Sequence, residues 1–449
     1  MLNNEKIIGK ILIKAKIDLI SPIHIGCGSG ERSKLDILLD DNNRPFIPGT
    51  SIAGVLNQMI IIDDKKNLKF WGYLKEDNTG SASLFFCSDA TVSSDSPDIV
   101  ISIRDGIRID SLTGTTIDSA KYDYEILEPG VIFDFKMIFT FYDDNKDFVK
   151  SMARTIYDIL NSNNMQVGAK TGSGLGYIKL VQNQTNIYLY DFTQKDHVIN
   201  WLMIHNNHYS STNKIELDKL GKPFTIKDNS FKLCSSLKIR HSFIIRSNSD
   251  IPELDEVHIS SAGKPIITGS AIKGAIRARI ERILYSLGNR KEKVDCIMKK
   301  LFGYIDKNDN SKDSQKSRVT VKETILPSFI AQQQSRIKID RFTGGTIQSA
   351  LFNTMPLFVN LNDKAVNIEI EIKDCQKYEA GLLLLVLKDL WTGDLAVGGE
   401  KSIGRGTFEG FGAEISFDDE KFNIEKQFTE KDSEKLQKYI DELVEFSGD

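Results

Sequence analysis

Between Phe133 and Phe141 the chain reads "FDFKMIFTF", with Phe133, Phe135, Met137, Phe139 and Phe141 on one face at a period of two. That alternation predicts a half-buried β-strand. "VNIEIEI" repeats the pattern with Val366, Ile368, Ile370 and Ile372. Two further runs, "KILIKAKIDLI" (Lys10–Ile20) and "FKLCSSLKIRHSFII" (Phe231–Ile245), read as opening strands. After the turns "PGTS" and "TGSA" the period changes. Ile272, Ala275, Ile276, Ile280, Ile283 and Leu284 recur at helical spacing and predict a helix with one apolar side. "DFVKSMARTIYDIL" (Asp147–Leu160) and "QKYEAGLLLLVLKDL" (Gln376–Leu390) also read as helices, each followed by a glycine loop and a strand.

These elements come twice, and so do the turns between them. "IDSLTGTTIDSAKY" from Ile109 returns without a gap as "IDRFTGGTIQSALF" from Ile339, 230 residues on. "PFIPGTSIAGVL" (Pro45–Leu56) returns as "PIITGSAIKGAI" (Pro265–Ile276), and "FWGY" (Phe70–Tyr73) as "LFGY" (Leu301–Tyr304). "GSGLGYIKL" (Gly172–Leu180) returns as "SIGRGTFEG" (Ser402–Gly410), so Gly174 and Gly176 answer to Gly404 and Gly406. Collinear matches of this kind mark a tandem duplication. Within each half the order strand, helix, strand, insertion, strand, helix, strand predicts an α+β, ferredoxin-like domain. The expected domains are 1–181 and 230–413. A bridging strand and helix are expected over 182–229, and a C-terminal strand and acidic helix over 414–449.

Composition narrows the chemistry. A chain of 449 residues that is 40% hydrophobic and 27% charged suits a globular protein of two or three domains. The start "MLNNEKIIGK" has no apolar signal region and no apolar run approaches the ~20 residues of a membrane span, so a cytoplasmic location is expected. Five scattered cysteines without a CxxC pair read as reduced thiols. A net charge of −4 argues against coating nucleic acid by bulk charge but permits a local basic groove. The glycine loops Gly168–Gly176 and Gly398–Gly406 match neither GxxxxGK[ST] nor a strand-led GxGxxG, which argues against a mononucleotide cofactor.

Taken together, "IHIGCG", "KLDILLDDNNRPFIPGTSIAGVL" and "IDSLTG" in one half, and "LDEVHISSAGKPIITGSAIKGAIRARI" and "IDRFTG" in the other, resemble the RAMP superfamily. These are the repeat-associated subunits that form the backbone of type III CRISPR effector complexes. The resemblance covers most of the chain apart from the linker and acidic tail, and the tandem fusion resembles those of type III-D systems. It implies two RRM-like RAMP domains with β-hairpin thumbs introduced by "IDRxTG". The implied partners are a guide RNA, the target RNA paired to it, and other RAMP-type subunits in an antiviral complex.

Candidate residues follow from both sources. Gly49 and Gly269 permit a tight turn, Ser51 and Ser270 suit helix capping, and free N–H groups at a helix start favour phosphate. Lys273, Arg277 and Arg279 are expected to reach the RNA backbone from this helix, whereas the first half has Ala53 and Asn57. Lys170, Lys401 and Arg405 read as phosphate contacts beside a close backbone approach at Gly174 and Gly404, the alternative being a structural bulge. By resemblance Asp36 is the family's loop aspartate. It would serve as base toward a 2′-hydroxyl or hold a hydrated Mg²⁺ or Mn²⁺, with Asp255 at the corresponding place in the second half. The alternative for each is a solvated turn carboxylate. His24 is read as a phosphate or proton-transfer group, or else a buried structural histidine. The second half has "FIIRSN" in place of that histidine, and Arg246 there would touch the RNA instead. Asp110 and Asp340 are expected to shape the thumb bases, Arg341 to reach RNA, and Thr113 and Thr343 with Ile117 and Ile347 to wedge against the guide. "KEKVDCIMKKLFGYIDKNDNSKDSQKSR" reads as a mobile basic loop, near RNA or merely solvated.

The leading expectation is a guide-binding backbone subunit that is also a metal-dependent endoribonuclease acting on the paired target. One rival keeps the scaffold without catalysis. The other is a free-standing, His-centred endoribonuclease that processes guide repeats, against which His24 stands alone in its half.

Overall fold

In the computed structural model, all residues are described except 1–5, 29–32, 34, 63–64, 76–78, 112, 119, 207, 250, 306–313, 360–364, 426–429 and 449. The chain divides into two units. The first comprises Met1–Ile103, Tyr124–Thr171 and Leu175–Lys227, and the second Arg104–Asp123, Gly172–Gly174 and Asp228–Asp449. Among the described residues no helix is long and apolar enough to cross a membrane.

The first unit is organised by its opening strand, Gly9–Leu19. It pairs antiparallel with Ile132–Phe141 on one edge and, on the other, with Asn186–Asp191 and Ile178–Leu180. The register sets Ile11, Ile13, Ala15 and Ile17 opposite Phe139, Met137, Phe135 and Phe133, all buried on one face. The period-two pattern therefore gives a single apolar surface. Ile52 and Leu56 of helix Gly49–Met59, and Val149, Met152 and Ile156 of helix Lys146–Asn161, close over it. The opposite face is closed by Phe192, Trp201, Ile204 and Tyr209, whereas Leu220, Phe224 and Ile226 pack with the first. Tyr188 and Tyr190 pack with Leu12 beneath Trp201 and Tyr209, while Lys10 and Lys14 lie 5.0 and 4.7 Å over the Trp201 and Tyr209 rings. The segment expected as a bridge thus adds a strand and a helix, Lys195–Met203, to this unit.

In the second unit, Phe231–Ile239 lies antiparallel between Val366–Ile372 and Phe408–Phe417. Val319–Val321 joins beyond the former and Glu420–Ile424 beyond the latter. Helices Gly269–Ser286, Lys291–Phe302 and Lys377–Thr392 pack on its buried face. The leucine run of Lys377–Thr392 is buried almost all round because the C-terminal helix Glu430–Gly448 covers its far side. There Tyr378 stacks on Phe446 at 3.9 Å, and a Cβ on Gly381 would meet Tyr439 O at 2.2 Å, so only glycine allows the approach. The mobile loop expected from Lys291 onward is instead helical as far as Phe302. Val294, Ile297, Met298 and Leu301 form a buried stripe there, and residues 306–313 lie outside the described part.

The duplication holds bridge by bridge. Ile23 pairs with Leu127 as Phe243 does with Leu357, and Gly26 with Ile37 as Arg246 does with His258. Ile109–Thr116 is matched by Ile339–Thr346. The glycine loops match as well. Ala169 N–H donates to His24 O, and Gly399 N–H to Ile244 O, both at 2.8 Å.

Candidate nucleic-acid interface

In the first unit the bridge Ile23–Leu127 and the Glu125 N–H to Leu35 O bond lay the "IHIGCG" turn and the Asp36 loop against the strand that leaves the first thumb, from Tyr124 to Leu127, and Gly26 bridges to Ile37. His24 is 3% exposed, with Nδ1 2.7 Å from Glu125 O. A carbonyl only accepts, so Nδ1–H is the donor. Tyr124 meets the His24 ring edge-on at 6.0 Å, and the Lys170 ammonium lies 4.1 Å over the Tyr124 ring. Asp36 is 6% exposed, and its Oδ1 accepts both the N–H and the O–H of Ser33 at 2.8 Å. Glu125 accepts the Ile37 N–H at 3.0 Å. His24, Asp36, Tyr124, Glu125 and Lys170 therefore gather on adjoining segments. Asp36 is a buried, locally bonded carboxylate and not the solvated one that a polar loop suggests. Among the described residues no three His, Cys, Asp or Glu side chains converge as cation ligands. Mg²⁺ commonly takes one or two carboxylates and completes its shell with water and phosphate, so Asp36 fits such an ion only with RNA oxygens beside it.

The same ladders identify the counterparts in the second unit. Ile244 stands where His24 does, Arg246 at Gly26, Val257 at Asp36, Thr354 and Met355 at Tyr124 and Glu125, and Glu400 at Lys170. Asp255 does not fall at Asp36's place. It is exposed, and its Oδ2 accepts the Asn353 N–H at 2.7 Å. The "LDEV" likeness is out of register by two residues, which in a strand still gives the same face and so misleads a sequence reading. Arg246 is exposed, with Nε 2.8 Å from Glu256 and Nη2 3.6 Å from Glu400. Burial raises the Glu256 carboxyl above its ordinary value, opposed by Arg246 and reinforced by Glu400 and Asp255.

Three of the expected RNA-facing cations turn inward. Lys273 Nζ donates to Ser317 Oγ and Val319 O, both at 2.8 Å, and burial, helped by Arg277 and Lys316, pulls it to about 8. Arg279 pairs with Asp389 at 2.6 Å, which raises its pKa. Arg405, 3% exposed, bonds Glu400, Ser242 and Gln334. Arg277 and Lys401 remain exposed, Arg277 with its guanidinium 5.8 Å from the Phe302 ring. Capping is shifted by a residue or more. Thr268 caps the second-half helix by accepting from Ala271 N–H, and Pro48 precedes the first, so Ser270 and Ser51 lie inside the first turns.

Each thumb tip is built by its aspartate. Asp110 Oδ1 accepts the Thr113 N–H at 2.8 Å, and Asp340 Oδ1 accepts the Phe342 N–H at 2.7 Å and the Thr343 N–H at 3.4 Å. Gly114 and Gly344 take left-handed φ of 69° and 68° to close these turns. Thr113, Thr343 and Arg341 are exposed. Phe342 is 98% exposed, an aromatic tip that the motif "IDRFTG" contains but whose exposure no sequence pattern announces. At the glycine loops, Gly404 faces open space. A Cβ on Gly174 would lie 2.7 Å from Glu323 N and Val321 O, so its backbone is packed on protein.

Two α+β units, with an aspartate-built hairpin turn and a glycine loop in each half of the chain, define the architecture. A family model for the RAMP superfamily matches residues 16–179 and 223–409, and the chain belongs to that superfamily with one domain in each region. RAMP proteins work in CRISPR complexes with RNA and other subunits. No curated protein matches the chain. Glu125, Tyr124, Glu256 and Glu400 escaped the sequence reading. The one signal was the acidic pair in "YEILE", carboxylates within an otherwise apolar strand.

Proposed function

We propose that the chain is a guide-RNA-binding backbone subunit of a type III effector complex, of the tandem type III-D kind, whose first half cuts the guide-paired target RNA. Its partners are the guide, the target and neighbouring RAMP-type subunits. The observation that carries the reading is the gathering of His24, Asp36, Glu125 and Lys170 beside the strand that leaves the first thumb. A ferredoxin-like fold for each domain is supported by the order in the second unit. Closing, opening, third and second strands lie side by side, with helices after the first and third. The domains proposed are 1–181 and 230–413, each overlapping one of the regions that the family model matches, 16–179 and 223–409.

The chemistry proposed is attack of a target 2′-oxygen on the adjacent phosphorus. The bond to the 5′-oxygen breaks, that oxygen takes a proton from water, and a 2′,3′-cyclic phosphate and a 5′-hydroxyl result. Asp36 takes the 2′-hydroxyl proton, after RNA has exchanged for the Ser33 hydrogen bonds that now hold the carboxylate. His24 is positioned through Nδ1 to present Nε2, and Lys170 supplies positive charge near the phosphate. A Mg²⁺ or Mn²⁺ ion at Asp36 would supply further neutralisation of the phosphate.

The burial of Asp36 and His24 favours a second reading, a scaffold that cuts nothing. The assembled complex decides between the two, with a labelled target, Mg²⁺ or chelator, and fragments resolved to the nucleotide. On the cleavage reading, Asp36→Ala removes one cut and leaves guide and target binding intact, a loss confined to the transition state. Cutting at the normal rate by the variant hands the case to the scaffold. Loss of target binding makes Asp36 structural.

A further inference from the structure

The two halves keep one backbone at the candidate site but not one chemistry. At the left-handed position after the glycine turn, Lys170 has φ 55° and Glu400 φ 58°, following Gly168 at 89° and Gly398 at 92°. The residue exchange there reverses the charge. The rest of the first-half cluster is gone too: Ile244, Val257, Thr354 and Met355 stand where His24, Asp36, Tyr124 and Glu125 do. No proton-transfer group remains at these four places.

What stands in their stead is a lattice of arginines on carboxylates. Glu400 accepts from Arg405 Nε at 2.5 Å and from Arg336 Nη2 at 2.6 Å, and its side chain is 2% exposed. Its Oε1 lies 3.6 Å from Arg246 Nη2 and makes no hydrogen bond among the described residues. Glu256 holds Arg246 from the other side at 2.8 Å. Arg336 comes from the thumb strand Gln334–Arg336, Arg405 from the glycine loop and Arg246 from the strand Arg246–Asn248. Glu400 thus ties three segments at one point. Three arginines meet two glutamates there, and Arg246 is the arginine whose side chain keeps 42% of its surface in solvent.

We infer that the second half has exchanged the cleavage centre for a fixed phosphate grip, in which Glu400 and Glu256 are positioning residues that aim Arg246 at the RNA backbone and no strand is cut. This rests on the reading of the chain as a guide-binding subunit. A buried carboxylate beside RNA is ordinarily a repulsive element, and it is tolerated here because it fixes guanidinium groups that would otherwise sample many rotamers.

The test uses the full chain with guide RNA, measuring affinity against salt, and the assembled complex for cutting. Arg246→Ala is expected to weaken guide binding about ten- to hundredfold and to lower the slope of log affinity against log salt by about 0.7, one phosphate's worth. Arg246→Lys should restore the slope. Glu400→Gln removes a negative charge, so bulk electrostatics predicts tighter RNA binding, whereas a positioning role predicts weaker binding. Asp255→Ala should leave every cut in place. An unchanged slope in Arg246→Ala, tighter binding in Glu400→Gln, or a cut abolished by Asp255→Ala overturns the inference while the subunit reading stands. Arg246 is exposed enough that its variant folds even where Glu400→Gln does not. A wild-type chain that fails to hold guide RNA sinks the subunit reading, and this inference with it.

Discussion

His258 lies opposite Arg246 in the ladder that carries the arginine lattice, and only 8% of it is exposed. Its Nδ1 accepts the Ile245 N–H at 3.1 Å and its Nε2–H donates to Ile266 O at 2.8 Å, so both nitrogens are used by the neutral ring. Adding a proton would set N–H against N–H. Burial pulls the pKa from 6.5 to about 4, with the bond to Ile266 O opposing it. At 1.36 kcal/mol per tenfold change in proton affinity, this is about 3 kcal/mol. The folded pKa is depressed, so between about pH 6.5 and 4 the unfolded chain binds the proton and the folded chain does not. Stability is complete above 6.5 and is lost as the pH falls through 4. For a unit of about 200 residues that corresponds to a fall of roughly 6–12 °C in the unfolding midpoint. Calorimetry of wild type and His258→Gln from pH 7.5 to 4.5 isolates the effect, because carboxylates titrate alike in both. The glutamine amide can still donate to Ile266 O but has no proton to gain, so the wild-type midpoint should fall more steeply by most of that amount. Parallel curves would mean that His258 does not titrate as its two hydrogen bonds require.

Lys273→Ala should lower the unfolding midpoint by removing the bonds to Ser317 and Val319 while guide affinity stays within about twofold, whereas Arg277→Ala should weaken guide retention by about 1–3 kcal/mol. Equal effects on retention would return Lys273 to the RNA side. Glu379→Gln, at a fully buried carboxylate paired with Arg318 and closing a capping box with Gln376, should cost about 3–5 kcal/mol in urea unfolding. A cost below about 1 kcal/mol would mean the pair is not intact in solution. Phe342→Ala should leave stability within about 0.5 kcal/mol and weaken guide binding by about 1–3 kcal/mol, the scale of one base stacked on an aromatic ring. Unaltered binding would remove the second thumb tip from the RNA.

The sequence made the repeat, the strands and the thumb turns legible because these rest on local rules. Period-two runs need an apolar face, and "IDxxTG" needs an aspartate oxygen for the N–H groups of a tight turn. What it hid was the direction of long side chains. Lys273, Arg279 and Arg405 carry the charge a nucleic-acid groove needs, yet each meets a partner tens to hundreds of residues away: Val319 O, Asp389 and Ser242. A charged residue on a helix or loop has no local mark of whether solvent or a distant carboxylate receives it. Asp255 failed for a different reason, since a two-residue slip keeps a strand's facing and only the ladder to Arg246 reveals it. The basic stretch from Lys291 misled through composition, its lysines concealing the apolar stripe of a helix.

Comparing the copies separates what the fold needs from what the chemistry needs. A left-handed backbone at a residue with a side chain costs on the order of 1 kcal/mol, and glycine would remove that cost. Both halves accept it at the same point, one with lysine and one with glutamate. The carbonyl before the glycine turn, at His24 or Ile244, receives the same N–H in each. Gly176 and Gly406 close the loops equally, since a Cβ at either would lie 2.0 or 1.8 Å from the carbonyl of Val167 or Val397. The path of the backbone is therefore the shared requirement, and a shared path serves a ligand that is itself repetitive, such as the sugar–phosphate chain of RNA. On the proposed function, side chains at that path are free to diverge, because a repeating backbone needs gripping at each step whereas cutting needs a proton acceptor only where a cut is made. One half holding His24, Asp36 and Glu125 and the other an Arg–Glu lattice is the outcome such a division of labour would leave.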